Sequence, residues 1–235
     1  MIHPTLLYSQ ESQENKSNSE VQEAPQKKES LWNWIQKGGF TMIPLGLISS
    51  IIIGFSIERY IFFKRSGVRL KNYFENFSEK INNLEELEKF LKEDQTIVSR
   101  ILKIGIQNKD KEISLIEKQI ESQSIIELGK LEKGLNLLSN LGNLAPLLGF
   151  FGTVVGMRHS FIQFVVKLAP TAKDLASGVE EALITTQAGL LIAIPTYLVY
   201  NLFIYWIDSL SVEIERCGNL LINKLYEVQH GNQSK

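Results

Sequence analysis

Two stretches decide the architecture: Leu147-Leu148-Gly149-Phe150-Phe151-Gly152-Thr153-Val154-Val155-Gly156-Met157 and Gly178-Val179-Glu180-Glu181-Ala182-Leu183-Ile184-Thr185-Thr186-Gln187-Ala188-Gly189-Leu190. Each lies in an apolar run, and together they fill most of Leu141 to Trp206. In the first, Gly149, Gly152, Thr153 and Gly156 fall at steps of three and four, so small residues share one broad helix face. In the second, Ala182, Thr186, Gly189 and Ala193 recur at alternating steps of four and three, a period near 3.5 that suits a left-handed helix pair. Within lipid, apolar side chains gain little by leaving the tails, and small faces let two backbones come close. The spacing predicts an antiparallel hairpin of two spans, with Thr153 and Thr186 as candidates for facing a common interior.

A third run, Gly39 to Phe63, completes the set. Each run is near the ~20 residues an α-helix needs to cross a bilayer. The chain average hides this: mean hydropathy is −0.03 and charged residues make up 22% of 235, because a Lys/Glu-rich middle offsets the apolar blocks. The expected fold class is an all-α integral membrane protein with three transmembrane helices, two of them extending into a helical cytoplasmic domain.

Residues 1–29 are rich in Ser, Gln, Glu, Asn and Lys and read as a disordered extracytoplasmic tail. The start is not a signal peptide by pattern, since Pro4 interrupts a short apolar stretch that lacks a basic flank. Residues 30–38 carry Leu31, Trp32, Trp34 and Ile35 and read as an interfacial amphipathic helix. Residues 39–63 form the first span. Arg59, Lys64, Arg65, Arg69 and Lys71 at its far end favour a cytoplasmic side there, which puts the N-terminus outside.

The helical domain, residues 64–134, shows apolar stripes at Tyr73, Phe74 and Phe77, at Leu84, Leu87, Phe90 and Leu91, and at Ile97, Ile101 and Ile104. These stripes pack on one another or on neighbouring subunits. Asn83 and Asp94 fit breaks or caps. From Ile113 a stripe runs through Ile116, Ile120, Leu128, Leu131, Leu135 and Leu138 and predicts a helix unbroken into the second span, 135–167. A connection at 168–179, the third span at 180–206 and a C-terminal helix over 207–235, frayed from Glu227, complete the reading.

Glu181 raises the functional question. An ionisable group inside a span costs ~3 kcal/mol unless it meets water, a partner or the bundle interior. Alternatively, Glu180 and Glu181 form an acidic first turn outside the hydrocarbon, favoured by the helix dipole. Arg158 and His159 offer countercharges.

Several classes are disfavoured by what the residues are. Net charge is −1 and there is no G-x-x-x-x-G-K-[ST] loop, so neither nucleic acid nor nucleotide chemistry is indicated. Cys217 is alone, which rules out an intrachain disulfide and fits a small buried helix residue. No nucleophile–base pair or facing acids stand out, so no enzyme activity, cofactor or metal is expected.

The two opening stretches, with Ala193-Ile194-Pro195 and Tyr200-Asn201, resemble the companion motifs of the MotA/TolQ/ExbB proton-channel family. Three spans and one large insertion are closest in layout to ExbB and TolQ. The resemblance implies a homopentamer in a bacterial inner membrane around a dimer of a single-span ExbD- or TolR-type partner, driving TonB- or TolA-type proteins by proton flow. It also implies that Thr153, Thr186 and Glu181 belong to the proton pathway, with Gly149, Gly152, Gly156, Ala182, Gly189, Ala193 and Pro195 as packing positions. Glu180, Thr185 and Gln187 depart from the family pattern. A scaffold that binds partners and the lipid bilayer without conducting is the competing reading.

Overall fold

The computed structural model describes residues 30–66, 73–169 and 171–231. The N-terminal tail, the Arg69 and Lys71 charges and the last four residues lie outside them. Among the described residues every regular element is helical, and three helices are long and apolar enough to cross a membrane.

The chain divides after Gln36. The first unit contributes nearly all of α1 (Leu31–Lys37), on which Trp32 and Ile35 are exposed. The second begins at Lys37 and has a joint at Gly38 and Gly39, ahead of the next helix, where Gly39 adopts φ 65°, a left-handed backbone that side chains disfavour. The Thr41 hydroxyl donates to the Gly38 carbonyl at 3.2 Å, closing the joint.

Helix α2 (Met42–Arg65) has 24 residues, about 36 Å at the α-helical rise. Pro44 is tolerated because it falls in the first turn, where its missing N–H has no helical acceptor to lose. Ile43, Leu47, Ile51, Ile53 and Ile57 stay exposed around it, an arrangement suited to lipid.

The charged middle folds into α3 (Tyr73–Lys80), α4 (Leu84–Glu93), α5 (Ile97–Gln107) and α6 (Ile113–Glu132). Asn83 caps α4, its side-chain oxygen accepting from the amides of Glu85 and Glu86 at 3.1 and 3.4 Å. Thr96, unnoticed in the sequence, caps α5 by accepting from Ser99 N. Glu213 of the last helix accepts from Phe74 N at 2.6 Å and so ties the start of α3 in place.

The apolar stripes pack on one another and on the C-terminal half of α8 (Ala172–Gly231). Phe77, Leu87, Leu91, Ile101, Leu102 and Ile116 form one core with Ile214, Cys217, Leu221 and Leu225. Glu127 is 6% exposed and receives Arg100 at 3.0 Å, Lys130 at 2.7 Å and Gln123 at 3.2 Å, joining α5 to α6. Glu127→Ala strands part of this network; we expect a loss of about 1–3 kcal/mol, seen as faster amide exchange in α5 and α6.

Three expectations are corrected. The helix predicted to run unbroken into the second span stops at Glu132 and restarts as α7 (Leu135–Val166), because Gly134 takes φ 85°. A Cβ there would also approach the Phe55 ring to 2.5 Å, so Gly134→Ala is expected to lower thermal stability by roughly 1–2 kcal/mol. The connection expected over 168–179 is shorter, since α8 begins at Ala172; the Ser160 hydroxyl holds this early turn through the Leu175 carbonyl at 3.2 Å. The end expected to fray from Glu227 stays helical to Gly231, and Gln229 Nε2 donates to the carbonyls of Lys109 and Lys111 at 2.7 and 2.9 Å.

Candidate functional site

Helices α7 and α8 run side by side with their backbones in near contact, because small residues face each other along the seam. A Cβ added to Gly189 would stand 2.6 Å from the Ala145 carbonyl oxygen, and one added to Gly156 2.9 Å from that of Gly178. At Gly149 the nearest atoms are also main chain, Thr185 O at 3.0 Å and Thr186 Cα at 3.1 Å. Ala182 and Ala193 are buried in the same seam. Pro195 is not: it is exposed, and the position is taken by Thr196, three residues after Ala193 and therefore on its face, whereas Pro195 points about 200° away.

The adjacent threonines divide the work differently from the expected stripe. Thr185 occupies the centre of the seam, fully buried, because Gly152 opposite leaves the room: a Cβ on Gly152 would overlap the Thr185 side chain. Its hydroxyl donates to carbonyls of its own helix, to Ala182 at 2.9 Å and Glu181 at 3.2 Å, so a buried polar group is satisfied locally. Thr186 flanks the seam, half-buried, and donates across it to the Gly149 carbonyl at 3.2 Å. Thr153, one turn along α7 from Gly149 and also half-buried, donates to Phe150 O at 2.6 Å.

Thr153 and Thr186 therefore lie along the same edge of the helix pair. Both spend their proton on a carbonyl, which leaves hydroxyl lone pairs as acceptors on that edge. Glu181 is not on it. Five residues before Thr186, it sits about 140° round α8, half-buried on the opposite edge beside the Gly38–Gly39 joint.

A cleft of about 230 Å³ opens there, lined among others by Lys37, His159, Ser160, Gln163, Glu180 and Glu181. Glu180 is half-exposed and pairs with Lys37 at 2.8 Å. The cation on this acid is Lys37, not the Arg158 or His159 that the sequence offered. His159 lines the cleft and meets Gln163 Nε2 through its own Nε2 at 3.0 Å, while Arg158 is exposed. Lys37, Gly39 and Ser160 escaped the sequence reading. The Gly38-Gly39 pair just before a span was the available signal for a close backbone approach.

Comparison with known proteins identifies the family. A family model described as the MotA/TolQ/ExbB proton channel family matches residues 93–216, more than half of the chain. A putative biopolymer transport protein ExbB homolog of Methanothermobacter thermautotrophicus is 34% identical over 132 residues, 56% of this chain and 45% of that protein. A putative biopolymer transport protein ExbB-like 1 of Synechocystis is 27% identical over 175 residues, 72% of this chain and 68% of that protein. The Tol-Pal system protein TolQ of Pseudomonas aeruginosa is 42% identical over 74 residues, 32% of each chain. The matched stretch thus spans less than half of the first and third of these relatives. The relatives are transport-associated proteins, and with its membrane-spanning helices and its matched core the chain belongs to the MotA/TolQ/ExbB proton channel family.

Proposed function

We propose that the chain is one subunit of an inner-membrane motor driven by the proton-motive force, a transport component and not an enzyme. Five copies would surround a dimer of an ExbD- or TolR-type single-span protein and transmit its motion to a TonB- or TolA-type protein. The N-terminus would be periplasmic and the long end of α8 cytoplasmic, following the Lys64 and Arg65 charges at the far end of α2.

The observation that carries this reading is the Thr153/Thr186 edge. Two hydroxyls line one edge of a tight helix pair and stay half-open, Thr153 bonded back to its own helix and Thr186 across to the other. Their lone pairs can accept from water or from the protonated carboxyl of a partner helix, which is what a proton relay needs from a neutral side chain. Glu181, on the opposite edge at the periplasmic end, would supply negative charge where protons enter.

Complementation tests the assignment. Thr153→Val and Glu181→Ala are each expected to abolish energised function with assembly intact, and collapsing the proton gradient should reproduce the defect in the parent. Normal TonB- or Tol-dependent activity in both variants would overturn the residue assignment and favour a non-conducting scaffold.

A further inference from the structure

We propose that Gly39 is a positioning residue for Glu181: the absent side chain at 39 is the seat on which the Glu181 carboxylate rests. This builds on the reading of Glu181 as part of the proton path. A Cβ on Gly39 would overlap Glu181 Oε1 and stand 2.7 Å from its Cδ and 3.4 Å from its Cγ, so the whole acidic end lies over the Gly39 backbone. The seat is itself held. Met42 N donates to the Gly39 carbonyl at 3.2 Å, and the Thr41 hydroxyl to that of Gly38 at 3.2 Å.

Neighbours of Glu181 on α8 grip the same joint. Glu180 reaches Lys37 at 2.8 Å, and the Ile184 side chain lies 3.1 Å from where a Cβ on Gly38 would be. Residues 180, 181 and 184 thus fasten to 37, 39 and 38. A glutamate with three rotatable bonds beside a cleft containing Lys37 and His159 has several alternative partners within reach; the bare backbone at 39 lets it take one place among them. Glycine at 39 therefore answers two demands, a positive φ and an empty side-chain position, and they can be separated by mutation.

Gly39→Asn keeps a residue tolerant of the left-handed backbone but fills the seat. Gly39→Ala adds both strain and a methyl. Combining Gly39→Ala with Glu181→Asp shortens the acid by one methylene and restores clearance. The variants, with Glu181→Asp and Glu181→Ala as references, are reconstituted in proteoliposomes with the single-span partner. Two quantities are read: carbodiimide labelling of the carboxyl at position 181 by mass spectrometry, and proton flux. Labelling is expected to rise in both Gly39 variants and flux to fall by up to roughly a hundredfold, the scale for misplacing a working group by about an ångström. In the Glu181→Asp background the alanine at 39 should cost far less.

Unchanged labelling in Gly39→Ala overturns the proposal, as does wild-type labelling and flux in Gly39→Asn, which would make backbone strain the cause. Full flux in Glu181→Ala instead removes the proton-path reading, while labelling still decides the seat by itself.

Discussion

Gly189→Leu is expected to prevent the α7–α8 hairpin from closing, so that the protein fails to accumulate in the membrane or unfolds far below the parent in detergent. Even the first added carbon would meet the Ala145 carbonyl oxygen at 2.6 Å, its carbon at 3.3 Å and Gly149 Cα at 3.1 Å. Overpacking costs about 1–3 kcal/mol where side chains can move aside, and occasionally more. Here the obstacles are main-chain atoms of a helix, so the helices themselves must part, and separation also breaks the Thr186 bond to the Gly149 carbonyl. Gly46→Leu is the matched control, since nothing stands within 4 Å of a Cβ at that position on α2. Near-normal accumulation of Gly189→Leu would mean that the backbones are not in contact as described.

The second large effect is chemical, not steric. Thr153→Val with Thr186→Val keeps both side chains branched and nearly the same shape while removing two hydroxyls from one edge. Assembly should survive, because Thr153 bonds only within its own helix and Thr186 contributes one bond across the seam, worth about 1 kcal/mol. Proton flux should fall ~10–100-fold, each factor of ten corresponding to 1.4 kcal/mol of lost relay stabilisation. Thr185→Val makes the contrast: that hydroxyl is buried and satisfied by its own helix, so its loss should leave flux largely intact. Equal losses in the two cases would assign the effect to packing.

The spans and the small-residue hairpin are legible in the sequence because lipid imposes composition and helices impose period; Gly149, Gly152, Gly156, Ala182, Gly189 and Ala193 need no tertiary information to be placed on facing stripes. Which of two adjacent threonines lies central is beyond that reach. Ala182, Thr185, Gly189 and Ala182, Thr186, Gly189 are both helical spacings, and the choice is made by the space opposite, at Gly152. Pro195 and Thr196 are another such pair: Pro195 is exposed on this chain, while Thr196, three residues after Ala193, is buried against Gly142.

Gly134 shows a different limit: the apolar stripe continues across it, and periodicity is blind to one residue whose backbone turns left-handed. The Glu181 seat could not be read at all. It joins residues far apart in the chain through an atom that is missing, and no pattern of side chains announces that.

Proton movement along the Thr153/Thr186 edge is tested most directly by flux into liposomes under an imposed membrane potential. The chain reconstituted with an ExbD- or TolR-type single-span protein should take up protons, the chain alone should not, and the Thr153→Val and Thr186→Val pair should lower uptake by the complex ~10–100-fold. Uptake by the complex that is unchanged in the double variant, or no uptake by the intact complex, would contradict it.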